Sequence, residues 1–169
     1  MINISNWKEF KVGKIFQISS GDCISSNNVN KEINEELIPY ITRGKENNSI
    51  DSFVHNKATQ KANCITIGTQ GATAYYQNLD FISGTGVNIL RNEKELNKFN
   101  ALFLCTALNK IIQTIFKFGY ELSQTRLKNV IIKLPSIEKE DGTFEPDWQY
   151  MENYKKGDIK WITKQLMKK

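Results

Sequence analysis

The sequence is poor in the residues that most catalytic and metal sites require. It has one histidine, His55, and three cysteines far apart in the chain, Cys23, Cys64 and Cys105. This set offers no ligand spacing for zinc, and no convincing Ser/His/Asp set can be assembled. We therefore expect no catalytic residue, no metal and no cofactor in this chain, and we interpret His55 as a surface histidine.

The glycine motifs that cradle phosphates are also incomplete. The segment Gly68-Thr-Gln-Gly-Ala-Thr-Ala lacks the Gly-Lys-Ser/Thr ending of a P-loop, and Gly84-Thr-Gly86 lacks the third glycine and following helix of a dinucleotide site. Both segments are more typical of tight turns. We therefore expect no nucleotide site at either position.

Long apolar runs are absent, and this absence bears on location. No stretch of about 18 apolar residues exists to span a membrane. The first residues show no basic region followed by an apolar one, as a signal peptide would. Cys64 and Cys105 lie within apolar runs and are expected in the core. We expect a cytoplasmic protein without membrane contact.

What is present fits one globular domain with a short appendage. The chain has 169 residues, of which 40% are hydrophobic and 11% aromatic, enough for an ordinary core. Its 23 basic and 18 acidic residues leave a net charge of +5. This mild excess is compatible with a polyanionic partner but does not identify one.

Short apolar stretches separated by polar turns predict a series of strands. Pro39 predicts a strand start or a sheet edge, and the turn at residues 68–71 predicts a hairpin. Glycines in the stretch beginning at Phe81 indicate a bulge or a close backbone approach. The predicted strands lie near residue 18 and within residues 37–43, 62–68, 72–77, 81–90 and 129–135.

Helical spacing of apolar residues predicts a long helix from Asn97 to about Lys117, ended by Gly119. Ser123 is expected to cap a short second helix, and residues 34–37 are a candidate helical turn. The predicted fold is α+β: a single globular domain with a twisted, largely antiparallel β-sheet and flanking helices. It covers residues 1–135, followed by a linker at 136–146 and a C-terminal helix at 147–169. Pro146 is a candidate start for that helix, and Gly157 is its weak point.

Two stretches combine the side chains that contact DNA. The first is the loop Thr42-Arg43-Gly44-Lys45-Glu46-Asn47-Asn48, which holds cations and amides. Arginine side chains suit contact with guanine, and asparagine side chains suit contact with adenine. A solvated turn is the competing interpretation, and one of Tyr75 and Tyr76 would pack its ring in the core. The predicted base-contacting residues are Arg43, Lys45, Asn47, Asn48, Gln70, Thr73, Tyr76 and Gln77.

The second stretch runs from Lys110 to Lys133 and has five cations against one acid. Lysine and arginine are the usual phosphate contacts, so we assign phosphate contacts to Lys117, Arg126 and Lys128. A charged face exposed to solvent is the alternative for this stretch.

The order of motifs resembles the target-recognition domain of type I restriction–modification DNA specificity subunits. The matching segments are Trp7…Phe10-Lys-Val-Gly-Lys-Ile-Phe, Ile38-Pro-Tyr-Ile-Thr-Arg, Asn63-Cys-Ile-Thr-Ile-Gly…Ala74-Tyr-Tyr, Leu102-Phe-Leu…Phe118-Gly-Tyr…Leu127-Lys and Ile132-Lys-Leu-Pro. Pro146-Asp-Trp-Gln-Tyr-Met-Glu-Asn-Tyr resembles the following segment in type I and BcgI-like subunits.

This resemblance implies a mixed α/β domain that enters the DNA major groove. It also implies a helix that joins an antiparallel coiled coil and docks on an adenine-N6 methyltransferase subunit. Methylation, and cleavage by a restriction subunit, then belong to partner chains. The residues expected to serve the interaction helix are Trp148, Met151, Ile159, Ile162 and Leu166.

The chain departs from the family pattern, since a usual specificity subunit holds two such domains and two long helices. We therefore expect one of three cases: a natural half-subunit that pairs with itself, a truncated remnant, or a subunit with a different role. The spacing of Ile159, Ile162 and Leu166 favours a helix–helix seam, and hence a homodimer. The function that we expect is sequence-specific recognition of a short half-site in double-stranded DNA, on behalf of a methyltransferase and a nuclease. The runner-up is a protein-interaction module or degenerate specificity remnant without DNA binding of its own. A small nuclease is a third and weaker interpretation.

Overall fold

The computed structural model describes residues 4–29, 37–70, 73–115 and 121–167. The predicted turn at residues 34–37, apart from Leu37, lies outside the described residues, as do the stop at Gly119 and the phosphate contact Lys117. Within them, the strands are β1 (Lys8–Lys11), β2 (Gln17–Ser20), β3 (Ile38–Ile41), β4 (Ile50–Val54), β5 (Cys64–Gly68), β6 (Ala74–Gln77), β7 (Ile82–Ser83), β8 (Val87–Arg91), β9 (Ile131–Leu134), β10 (Ser136–Glu138) and β11 (Phe144–Pro146). The helices are α1 (Val12–Ile15), α2 (Lys98–Ile115), α3 (Gln124–Asn129) and α4 (Trp148–Leu166).

A four-stranded antiparallel sheet, ordered β2-β8-β5-β6, forms the centre of the fold. Ile65, Ile67 and Ala74 project from one face into the main core, which they share with α2. At the edge strand β6, the side chain of Asn109 on α2 binds both polar groups of the Ala74 backbone. The amide thereby completes hydrogen bonds that the edge strand would otherwise leave open on that side.

The opposite face of this sheet packs against a second sheet, ordered β4-β3-β7. Ile41, Cys64, Phe81, Val87 and Ile89 form the apolar layer between them. The pairing of β3 with β7 is parallel, whereas β3 pairs with β4 in the antiparallel sense. The α+β class is thus confirmed, although the strands form several sheets where a single one was expected.

Two strands differ from the sequence-based expectation. The stretch predicted as one strand at residues 81–90 divides into β7 and β8, which lie in different sheets. Between them the backbone passes so close to Tyr40 that a Cβ on Gly84 would lie 2.7 Å from its Oη, and Gly86 has a φ of +77°. Strand β4 was not predicted, because only Val54 along it is fully buried. Pro39 does lie near the start of β3, on the residue before pairing with β7 begins.

Asp22 ties the segment after β2 to the second sheet. Its carboxylate accepts hydrogen bonds from Thr59 and Gln60, both at 2.6 Å, and from the backbone and hydroxyl of Ser83. Burial raises the pKa of Asp22, but these hydrogen bonds outweigh it and hold the pKa below its ordinary value. The ionised carboxylate therefore fixes three segments together.

The C-terminal part is more integrated than the predicted linker and tail. Residues 136–146 form the β10–β11 hairpin, in which Pro146 ends a strand and does not start the helix. Asp147 caps α4 by accepting from the Tyr150 amide at 2.8 Å, and α4 continues through Gly157 without a break. Met151 is fully buried, and Trp148 packs against the main core. Both were predicted as interaction residues. The full burial of Met151 corrects that prediction, while Trp148 is half-buried and its interaction role stays a prediction.

We predict that Met151→Ala will lower the free energy of unfolding by about 2–5 kcal/mol, because it leaves a cavity in the main core. Leu166→Ala, on the same helix but 68% exposed, should change it by less than about 0.5 kcal/mol. Urea denaturation of both variants at low protein concentration checks this. Equal losses would show that the two halves of α4 are buried alike.

Candidate nucleic-acid interface

Several connections gather at one end of the four-stranded sheet, which we call the loop end. There β2 finishes at Ser20, β5 finishes at Gly68 and β8 starts at Val87, in register with one another. The segment before α3 is bound to the same place, because the Leu122 amide donates to the Thr69 carbonyl at 3.0 Å. The Gln124 amide group also donates to the Ser20 hydroxyl at 2.6 Å.

Arg43 reaches the loop end because the adjoining strand presents glycine. A Cβ on Gly68 would lie 2.8 Å from the Arg43 Cα, and one on Gly86 would lie 3.6 Å from its Cδ. The main chain of Arg43 therefore lies directly against Gly68, while the side chain remains exposed. Beside it runs a shallow groove whose hydroxyl-bearing residues include Ser25, Ser26, Thr42 and Thr85. The sequence analysis did not single out Ser25, Ser26 or Thr85, because nothing in the local sequence indicates that they lie near Arg43.

The loop after Arg43 is held in an unusual backbone conformation. Asn47, Asn48 and Ser49 have φ values of 50°, 57° and 60°, a left-handed run that costs conformational energy for residues other than glycine. The Ser49 hydroxyl donates to the Gly44 carbonyl at 2.8 Å, and the Tyr75 hydroxyl donates to the Lys45 carbonyl. These bonds close the loop while the side chains of Lys45 and Asn47 stay exposed.

Gln77 was predicted to contact bases, and the structure corrects this. Its side chain is only 3% exposed. Its amide nitrogen donates to the Thr66 hydroxyl at 2.8 Å and to the Asn48 carbonyl at 3.2 Å, and its oxygen accepts from the Asn48 amide at 3.0 Å. Gln77 thus connects the loop to β5 beneath it. The side chain of Asn48 is itself hydrogen-bonded to the Gln77 side chain.

Tyr76 was also predicted to contact bases, but the alternation of side chains along β6 places it on the face away from the loop. Tyr75 and Gln77 face the loop, so Tyr76 points to the opposite face, where it packs against the main core near α2. Its hydroxyl donates to Asn63 Oδ1 at 3.2 Å, and burial raises the pKa of Tyr76. The residue beside the loop is therefore Tyr75, which the alternation with Gln77 could have indicated.

The remaining predicted residues lie at or near the loop end. Gln70 is exposed, with its amide 3.4 Å from the Glu121 carboxylate, while Thr73 is half-buried. On α3, which Ser123 caps as predicted, Arg126 donates to the Glu121 carbonyl at 2.7 Å. Lys128, the third predicted phosphate contact, is exposed on the same helix.

The described part of the chain offers little for catalysis. Within it, no group of three or more His, Cys, Asp or Glu side chains is placed to hold a metal ion. Burial raises the pKa of Cys64 to about 11 and that of Cys105 to about 12, so both thiols stay protonated and unreactive. His55 is partly exposed. No helix among the described residues is long and apolar enough to cross a membrane.

Comparison with known proteins agrees with this geometry. Residues 4–168 match the family model described as the type I restriction modification DNA specificity domain. The specificity subunit S.BcgI of a type II restriction enzyme from Heyndrickxia coagulans is 31% identical over 158 residues, which cover 91% of this chain and 44% of that protein. The chain thus spans less than half the length of this curated relative.

Two solved structures share the fold. The S subunit of a type I restriction-modification system from M. genitalium superposes with a TM-score of 0.63 at 18% identity, over 97% of this chain and 42% of that one. The HsdS subunit from Thermoanaerobacter tengcongensis gives 0.62 at 17% identity, over 96% and 40%. The resemblance found in the sequence motifs is confirmed, and the chain belongs to the type I restriction modification DNA specificity domain family.

Proposed function

We propose that this chain reads a short sequence in double-stranded DNA as a specificity module of a restriction–modification system. The observation that carries the proposal is the closed loop at residues 43–49. It presents the exposed side chains of Arg43, Lys45 and Asn47 on a backbone fixed from below by Gln77. A preorganised loop with a guanidinium and an amide suits base edges in the major groove, since little conformational freedom remains to be removed on binding.

The surroundings of this loop offer further hydrogen-bonding groups, among them hydroxyls and the Asp51 carboxylate. The hydroxyl-lined groove beside Arg43 and the exposed Gln70 lie at the same end of the sheet, next to the start of α3. We propose that Arg43, Lys45, Asn47, Gln70 and Thr73 contribute to base contacts, with Tyr75 as a further neighbour. Arg126 and Lys128 then contact phosphates, which position the protein but do not specify sequence.

The chemistry that follows recognition is assigned to other chains. The relatives carry the names of specificity subunits, and this chain covers less than half of each. We propose that it is non-catalytic, acts in the cytoplasm, and directs an adenine-N6 methyltransferase subunit and a restriction subunit. Subunit binding without any DNA binding would favour the alternative, a degenerate remnant or interaction module.

Self-pairing is a further part of the proposal. Beyond Tyr154, α4 leaves the core, and Ile159, Ile162 and Leu166 remain 40%, 50% and 68% exposed. Their spacing of three and four residues places them along one face of the helix, as in a helix–helix seam. Trp161, which sequence reasoning did not single out, is 64% exposed on the same half of α4.

The first test of recognition is selection of duplexes from a random DNA pool, with and without a methyltransferase subunit. Against the selected site, Arg43→Ala should weaken discrimination at one base by about 1–3 kcal/mol.

Arg126→Ala should weaken binding to selected and random duplexes alike, and reduce the slope of log affinity against log salt by about one. Absence of any enriched motif with the partner present would overturn the recognition proposal.

Gln77→Leu should lower the free energy of unfolding by about 1–3 kcal/mol, because it removes the partners of Thr66 and Asn48 in a buried setting. Amide hydrogen exchange at residues 44–49 should accelerate, and discrimination between selected and random duplexes should fall. Gln70→Leu makes the same chemical change at an exposed position, and is the control for stability. Unchanged exchange in Gln77→Leu would mean that the loop is held by other interactions.

Replacing Ile162 with a charge tests self-pairing. Ile162→Glu should convert a dimer to a monomer at micromolar concentration, because an ionised carboxylate in an apolar seam is deprived of its hydration. Analytical ultracentrifugation measures this, and Lys160→Glu, on the same helix outside the seam, is the control. A monomeric mass for the unmodified chain at tens of micromolar would contradict the homodimer.

A further inference from the structure

The segment that carries Lys11 and Lys14, near the N-terminus, lies beside α3, although more than a hundred residues separate it from α3 in the sequence. A Cβ on Gly13 would lie 2.9 Å from the Lys128 Cβ and 3.0 Å from its carbonyl oxygen. Helix α1 is bound to the end of α3 as well, since the Val12 amide donates to the Val130 carbonyl at 2.9 Å. Lys11 and Lys14 flank these two residues, so their backbone lies close to the end of α3 that carries Lys128.

The three lysines have exposed side chains and no salt-bridge partner among the described residues. Lys11, Lys14 and Lys128 are all exposed. Among the residues that the structure describes, the salt bridges are Lys61–Asp80, Lys139–Glu145, Lys155–Asp158 and Lys156–Glu152, and none involves these lysines. Glu9 stands opposite Lys133 in the β1–β9 register and forms no salt bridge with Lys11 among the described residues. We name Lys11, Lys14 and Lys128 the lysine ridge.

Helix α3 connects this ridge with the loop end. Its first residue, Gln124, binds Ser20 at the loop end, and its fifth residue is Lys128. Gln124 and Lys128 lie four residues apart, about 6 Å along the helix axis, which corresponds to a rise of roughly two base pairs along the DNA axis. A backbone that passes the loop end can therefore continue along α3 and reach the ridge.

We propose that the lysine ridge is a second phosphate-binding surface, which holds the DNA backbone as it leaves the loop end. This inference rests on the proposed recognition of DNA and adds Lys11 and Lys14 to the residues that bind it. Lysine ammonium groups act as mobile point charges, so they contribute affinity and salt dependence without reading sequence. The ridge would thus anchor the duplex while the loop at residues 43–49 reads it.

The test is the double variant Lys11→Gln/Lys14→Gln, measured against a selected duplex and a random duplex at several salt concentrations. The slope of log affinity against log salt should fall in magnitude by about 1.8, because each phosphate that a lysine neutralises adds about 0.9 to it. Affinity for both duplexes should fall by the same factor, so that discrimination is unchanged. Lys11→Arg/Lys14→Arg should keep the parent slope, because it keeps the charges.

The matched control is Lys139→Gln/Lys160→Gln, which makes the same change of net charge at the hairpin tip and on α4. It should leave the slope unchanged, and circular dichroism should show that both double variants are folded. An unchanged slope in the ridge variant, with binding by the parent chain intact, overturns the ridge but not recognition. Absence of salt-dependent DNA binding by the parent chain overturns both.

Discussion

The antiparallel pairing of β5 with β8 is the constraint on which the rest of the structure depends. This pair is buried on both faces, with Ile65, Ile67 and Leu90 toward the helices and Cys64 and Ile89 toward the second sheet. A shift of the β5–β8 register by one residue would move every side chain of the shifted strand to the opposite face of the sheet. The positions of Gly68 and Val87, and with them the loop end, are fixed as a consequence.

That rigidity explains how a surface loop can hold a strained backbone. The left-handed run at residues 47–49 is tied to β6 through Gln77, and Gln77 is in turn held by Thr66 on β5. In the described part of the chain, no buried side-chain nitrogen or oxygen lacks a hydrogen-bond partner. The buried side chain of Gln77 thereby connects the loop to the rigid sheet and limits the motion of the loop backbone. A surface that reads DNA bases needs side chains held in this way.

Helix α4 combines two environments along one element. Its first half packs on α2, where the rings of Phe103 and Tyr154 meet edge to face at 5.6 Å and Asn97 donates to Glu152 at 2.8 Å. Its second half extends beyond the core, with Ile159, Ile162 and Leu166 exposed. The helix is therefore anchored at one end and available at the other, as a docking element must be if its position relative to the DNA surface matters.

The sequence by itself determined the α+β class, the β5–β6 hairpin, the long helix and the cap at Ser123, because these depend on local periodicity and turn chemistry. It also identified the family, and it predicts DNA contacts in the loop at residues 42–48. Only the tertiary structure decided that Gln77 and Met151 are buried, that Tyr75 faces the loop in place of Tyr76, and that Gly13 lies against Lys128. These outcomes depend on which strand face meets which layer and on packing between segments far apart in sequence. Such long-range packing leaves no trace in local periodicity.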